Sequence, residues 1–324
     1  AVLSGPAACT DEQFVHLARR DEIDVLIECT GFSAGHRFGA MTLRCAPIQI
    51  SFLNHTGTSQ MPNVDYILTD EICVPSGSEC EQYYSEQIYR LPGCFFCFDY
   101  TSSNEPSVTA SPHLRNGHIT FGCFGSGGKI GREIVAIWAQ VLKRVPGSIL
   151  RIQNHELSSP GDRRFLASRF REFGIAPHRL VIEQGVHRPS LLEAYSQVDI
   201  SLDTWPYCGG NSIAESLWHG VPVVTYLGDR FSSRYGASLL AAAGCTDMVA
   251  RTVDDYIEIA AKLATDSDRL TRLRQSLRQM SVEFGLGDSH LFARRLEAAY
   301  VSMVDALGNP SAGEASSSAA LTSS

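Results

Sequence analysis

Nowhere does this sequence hold the roughly 18 consecutive apolar residues that a membrane-crossing helix needs, so it offers no helical span. It also lacks a basic run. Its 27 Lys and Arg are outnumbered by 35 Asp and Glu, giving a net charge of −8. A chain of that balance has no electrostatic footprint for nucleic acid or an anionic membrane, and neither is expected as a partner. The single CxxC, Cys94-Phe95-Phe96-Cys97, has no second ligand pair, and no two of His36, His55, His187 and His219 stand at zinc spacing, so no metal site is expected. No internal repeat is visible. The opening residues Ala1-Val2-Leu3-Ser4-Gly5 have neither a methionine nor the basic stretch of a signal peptide, and read as a cut within a longer protein. Ten cysteines are present, several inside apolar strand-like runs where a thiol acts as a small hydrophobe, which points to a reducing, cytoplasmic setting.

What is present is an alternation of apolar strands and amphipathic helices, the pattern of parallel α/β sheets. At 324 residues the chain is long enough for two lobes. Residues 1–100 carry a first set of strands at 23–29, 47–53, 65–70 and near Leu91, each closed by polar or glycine residues. Residues 101–117, polar and rich in Ser and Pro, read as a linker. Residues 118–285 form a second lobe with strands at 118–124, 149–152, 180–182, 200–202, 221–225 and 248–249. Helices are expected between them, including one over 189–197. Residues 286–307 predict a C-terminal helix packing back on the lobes. Residues 308–324, of low complexity, predict a disordered tail.

Two stretches of the second lobe carry chemistry. After strand 200–202 the chain runs Asp203-Thr204-Trp205-Pro206-Tyr207-Cys208-Gly209-Gly210-Asn211-Ser212, a Gly-Gly turn opening a helix that the side chain of Asn211 or Ser212 can cap. Free N–H groups and the positive dipole end at such a start suit phosphate. Glu215, one turn on, can accept hydrogen bonds from a ribose diol. The second stretch, Gly125-Ser126-Gly127-Gly128-Lys129, lies between a strand and a helix, where the backbone can approach phosphate while the ammonium neutralises it. It is not a Walker loop, since Ile130 stands where the hydroxyl residue belongs. Asp203 reads as a strand terminator, with a ligand role as the alternative. Asp266-Ser267-Asp268 reads as a helix cap rather than a metal-binding DxD. Among the histidines, His55 is the best placed as a site residue, and His219 reads as structural.

Ordered motifs then tie the chain to a family. They are Ala46-Pro47-Ile48-Gln49 with Gly57-Thr58-Ser59; Asp65-Tyr66-Ile67-Leu68-Thr69-Asp70; Trp138 with Leu142-Lys143-Arg144-Val145-Pro146; Leu202-Asp203-Thr204; Leu217-Trp218-His219-Gly220-Val221-Pro222; and Ser233-Arg234 before Ala237-Ser238. Over about residues 20–305 the chain resembles the C-terminal part of the catalytic region of the O-GlcNAc transferase family. That family includes tetratricopeptide-linked bacterial members and plant O-fucosyltransferases. The resemblance implies two Rossmann-like lobes of the GT-B type, the first incomplete at its N-terminus, and inverting transfer of a sugar from a nucleotide to a protein Ser or Thr without a metal. It implies that Lys129 stabilises the leaving diphosphate, that Gly209, Gly210, Asn211 and Ser212 form the phosphate loop, and that Glu215 holds the ribose. Ser126, Val186 and Arg188 fall on donor-pocket positions, with Val186 and Arg188 at the base, and Leu53 and Asn54 fall near the sugar.

Departures from the family pattern set the donor question. Gly210 replaces a histidine, Asn211 a threonine, Leu191 a base-contacting histidine and Ser126 a glutamine. UDP-GlcNAc is the expected donor and a GDP-sugar the alternative. The family's acceptor-side histidine and aspartate, and any tetratricopeptide array, are expected upstream of Ala1. A non-catalytic nucleotide- or peptide-binding scaffold and a sugar-nucleotide epimerase stay open as other functions.

Overall fold

The computed structural model describes residues 9–98, 107–185 and 193–308. The chain divides into two compact units, the boundaries falling after Phe95 and again after Ser289, so that the last helix groups with the first unit.

The first unit is a four-stranded parallel sheet in the order β1 (Val25–Glu28), β2 (Ile48–Ser51), β3 (Tyr66–Asp70), β4 (Gln87–Leu91). All four residues of β2 are buried, as expected for an apolar strand covered on both faces. Ahead of β1, helix Asp11–Arg20 is set by a capping box between Thr10 and Gln13, and it buries Val15 and Ala18 against Ala40 and Cys45. Strand-end carboxylates organise the loops. Glu28 accepts from the amides of Thr30 and Arg37, both at 2.6 Å, and Asp70 accepts from those of Cys73 (2.8 Å) and Phe95 (3.0 Å). Helix Ser289–Gly308 returns to this unit, where Phe292 stacks 6.5 Å from Phe52.

The second unit is a six-stranded parallel sheet with strands β5 (Thr120–Cys123), β6 (Ile149–Asn154), β7 (Leu180–Gln184), β8 (Ile200–Leu202), β9 (Val223–Tyr226) and β10 (Val249–Ala250). Their spatial order is β10-β9-β8-β5-β6-β7. Read from β7, this is the 3-2-1-4-5-6 order of the Rossmann fold. Strand β9 begins at Val223 rather than at Val221 as the apolar run suggested; Pro222 has no N–H to give the ladder, although its carbonyl still accepts from Ser201 N at 2.8 Å. Of the helix expected over 189–197, the described residues show Glu193 and Ala194 helical, followed by the 3-10 segment Tyr195–Gln197. The rest of that stretch lies outside the described residues, as do 99–106 of the linker region and the tail beyond 308.

Helix Arg132–Arg144 buries Ile134, Ile137, Trp138, Val141 and Leu142, the stripe its spacing predicts. It packs on helix Val253–Thr265. There Trp138 Nε1 donates to Tyr256 Oη at 3.2 Å, and Tyr256 Oη donates to the Asp203 carbonyl at 2.9 Å. Trp138→Phe keeps the ring but loses the first bond and leaves a small void. It is expected to cost about 2 kcal/mol, read as a lower urea midpoint with an unchanged slope. An unchanged midpoint would show that this contact carries no stability. Helix Ser267–Glu283 departs from its sequence stripe in one respect. Arg274, not only Leu270 and Leu277, faces inward and donates to the carbonyls of Thr109 (2.9 Å), Val198 (2.9 Å) and Tyr195 (3.1 Å). Burial lowers its guanidinium to about 10. Asp266 caps this helix, accepting from Arg269 N at 2.8 Å, as read from the sequence.

Candidate active site

In the second sheet β5 pairs with β6 on one side and β8 on the other, so the chain reverses direction of winding between β5 and β8. The loops leaving these two strands diverge and open a crevice at their C-terminal ends, where α/β sheets bind ligands. The two stretches singled out in the sequence are those loops. A small cavity of about 10 Å³ lies between them, lined by residues including Gly125, Asp203, Thr204 and Ser212.

Lys129 ends the 3-10 turn Gly127–Lys129 after β5. Its Nζ donates to the Cys208 carbonyl at 2.7 Å and sits 4.1 Å from the centre of the Tyr207 ring. The ammonium is thereby held at the entrance to the Gly209-Gly210 turn, three residues before the helix Asn211–Trp218. Burial lowers its pKa, while the charge of Asp203 opposes that shift. Ser126 is exposed and donates to Glu156 Oε1 at 2.5 Å, tying the glycine loop to the segment after β6.

Asp203 is the hub of the second loop. It is 6% exposed, and Oδ1 accepts from Gly209 N at 2.7 Å and Thr204 N at 2.9 Å, while Oδ2 accepts from Thr225 Oγ1 at 2.6 Å. Burial raises its pKa to about 6 against these bonds and the pull of Lys129. The thiols of Cys123 and Cys208 are also raised by burial, Cys123 to about 12, which makes both poor nucleophiles at neutral pH.

The helix start differs from the sequence expectation in its cap. Gly210, not Asn211 or Ser212, is the N-cap, and no side chain caps the helix. The turn is closely packed: a Cβ at Gly210 would lie 2.7 Å from Tyr235 Oη and one at Gly209 would lie 3.2 Å from Asp203 Oδ1. The first bonded amide is that of Ile213, donating to Gly210 O at 3.0 Å. The amides of Asn211 and Ser212 therefore have no acceptor among the described residues, whereas that of Gly209 is taken by Asp203. Glu215 is 7% exposed and its Oε2 accepts from Tyr195 Oη at 3.2 Å. Tyr195 stacks on His219 at 5.2 Å, and His219 Nδ1 lies 2.7 Å from the Glu215 carbonyl.

In the first unit, Leu53 and Asn54 follow β2. Leu53 has φ of 68°, an uncommon conformation for a non-glycine residue. Asn54 Nδ2 donates to Thr30 O at 3.1 Å. His55 Nε2 lies 2.9 Å from the Thr58 carbonyl, and its ring meets Phe32 edge-on at 4.9 Å. Val186, Arg188 and Leu191 lie outside the described residues. Sequence reasoning passed over Tyr207, Thr225 and Tyr256, and the only signal for Asp203 as a hub was its place at the end of a buried strand.

A Rossmann-ordered sheet with a lysine-bearing glycine loop and an uncapped helix start at its switch point, together with a second parallel α/β unit, has the architecture of the GT-B glycosyltransferases. The chain belongs to glycosyl transferase family 41, whose model matches residues 9–106 and 103–296. It is 36% identical over 295 residues to the probable UDP-N-acetylglucosamine–peptide N-acetylglucosaminyltransferase SPINDLY of Hordeum vulgare, covering 90% of this chain and 31% of that protein. To the corresponding SEC protein of Arabidopsis thaliana it is 28% identical over 306 residues, covering 92% of this chain and again 31% of the other. Among solved structures it is similar to a point mutant of the Thermobaculum terrenum O-GlcNAc transferase, with a TM-score of 0.86, 33% identity, and coverage of 92% of this chain and 56% of that one. The chain thus spans about a third of the length of the curated relatives it matches.

Proposed function

We propose that this chain carries the donor-binding part of a protein O-glycosyltransferase that moves a sugar from a nucleoside diphosphate to a Ser or Thr hydroxyl with inversion. Similarity to its relatives favours UDP-GlcNAc over a GDP-sugar. One observation carries the reading: Lys129 Nζ is anchored at Cys208 O, beside the uncapped start of helix Asn211–Trp218, so two anion-binding features face one crevice. A diphosphate leaving group gains negative charge as the glycosidic bond breaks, and fixed positive groups aimed at it lower the barrier. Lys129 and the Asn211 and Ser212 amides supply that charge, and in this reading no metal ion is required. Glu215 would take the ribose by releasing the hydroxyl of Tyr195. Ten free cysteines fit a reducing, cytoplasmic setting. An epimerase needs several acid/base groups facing the crevice, but Asp203 and His219 are turned to internal bonds, and Glu215 is the group this reading assigns to the ribose.

A thermal-shift screen of UDP, GDP and their sugars tests the proposal. A nucleotide at 100 times its dissociation constant is expected to add about 2.7 kcal/mol. A shift with UDP-GlcNAc exceeding that of GDP-sugars supports the leading donor. No shift with any of them would leave the scaffold reading in its place.

A further inference from the structure

The second unit holds a buried polar side chain that the fold leaves unused. Asn154 ends β6 and is 5% exposed, yet neither Oδ1 nor Nδ2 has a hydrogen-bond partner among the described residues. A buried amide in that state costs stability, and such groups call for a reason. The backbone around it is satisfied, since Asn154 O accepts from Gly185 N at 2.6 Å, so the cost is confined to the side chain.

Its position supplies the reason. The turn Gly127–Lys129 packs against the segment His155–Leu157, and Ser126 is bonded to Glu156 across that contact. A Cβ on Gly127 would lie 3.1 Å from Asn154 Oδ1, so glycine at 127 lets the loop lie directly against the amide. The residue two positions on is Lys129. In a 3-2-1-4-5-6 sheet, β5 is the first strand and β6 the second. In dinucleotide-binding sheets of this order, a polar residue after the second strand meets the ribose of a ligand whose phosphates lie on the loop after the first. A carboxamide both donates and accepts, which matches a sugar hydroxyl or the edge of a base.

We infer that the Asn154 carboxamide hydrogen-bonds the nucleoside moiety of the donor. The inference rests on the proposed diphosphate site at Lys129 and adds to it the contact that separates a nucleotide from a bare diphosphate. The nucleoside would supply the partner that the amide lacks among the described residues.

The test compares UDP, GDP and inorganic pyrophosphate by calorimetric titration of the wild type, Asn154→Ala and Asn154→Ser, with melting temperatures of the free proteins. Loss of a neutral hydrogen bond is expected to weaken nucleotide binding about tenfold in Asn154→Ala while pyrophosphate affinity stays unchanged. The free Asn154→Ala protein is expected to melt no lower than wild type. A purely structural asparagine would lower the melting temperature and spare the affinity ratio, and that result overturns the inference. Equal losses for nucleotide and pyrophosphate overturn it too. Wild-type protein that binds pyrophosphate but no nucleotide also sinks it while sparing the diphosphate site, whereas wild type that binds neither sinks both. Asn154→Ser, with its smaller donor and acceptor, is expected to fall between the other two.

Discussion

Replacing Lys129 by Met in the full-length protein is expected to lower kcat by about a hundredfold or more, while nucleotide binding stays measurable. Removing one preorganised group from a site of developing charge costs on the order of 3 kcal/mol of barrier. Methionine retains most of the apolar stem and its bulk over the Tyr207 ring, so the loss falls on charge. The ground-state diphosphate already bears negative charge, and some affinity goes with the ammonium. In the proposed role Lys129 would meet the charge that appears only as the glycosidic bond breaks, which would place the larger part of the loss in kcat. A variant with unchanged kcat and a raised KM would show Lys129 to be a binding group only. A pH profile gives a second readout. Burial lowers the Lys129 pKa in the free protein from its ordinary value of 10.5, so the alkaline fall in wild-type kcat/KM should begin below that value, and the fall should vanish in Lys129→Met.

Much of this arrangement is visible in one dimension because parallel strands buried on both faces are short apolar runs, and each is closed by the loop it serves. Strand β8 at Ile200–Leu202 coincides with its apolar run, and the Trp138 stripe maps onto the buried face of its helix. What the sequence hides is the strand order. Nothing in residues 118–250 says that β8 pairs with β5 rather than with β7, and that pairing alone brings Lys129 to Cys208. The cap at Gly210 was hidden for a related reason: a serine and an asparagine at a helix start satisfy every local rule, and the close packing at Gly210 involves Tyr235, 25 residues away. Asn154 looks like any strand-end amide until the packing shows that its carboxamide has no partner among the described residues. Glu215 illustrates the converse. Its helical position is as the spacing implies, but its bond to Tyr195 and its burial are tertiary facts.

Asp203 governs the second large effect, and here two substitutions should part company. Asp203→Ala strips the acceptor from Gly209 N, Thr204 N and Thr225 Oγ1 at once, in a site with no room for bulk water. Buried donors left without partners make this cost about 3 kcal/mol or more, seen as a large fall in the melting temperature. Asp203→Asn keeps the shape. Its oxygen can accept from the two amides and its NH₂ can donate to the Thr225 hydroxyl, so the turn should survive. The sign of the pH effect separates charge from shape. The folded pKa of Asp203, about 6, lies above its ordinary 3.8 because burial disfavours the anion. Between those values the folded protein holds a proton that the unfolded chain has released, so this group makes wild-type stability fall as pH rises from about 4 to about 6 and adds no slope above. At 1.36 kcal/mol per unit, the buried charge costs on the order of 3 kcal/mol at neutral pH. Asp203→Asn does not carry that cost, and its stability relative to wild type should climb through the same window and then level off. Parallel curves for the two proteins across that window would show that Asp203 is not the titrating group. Why the fold keeps a carboxylate here follows from its neighbour: the anion raises the proton affinity of Lys129 against the desolvation that lowers it. Asp203→Asn should therefore be stable yet shift the alkaline limb of the rate to lower pH, trading stability against a lysine that stays charged where the leaving group needs it.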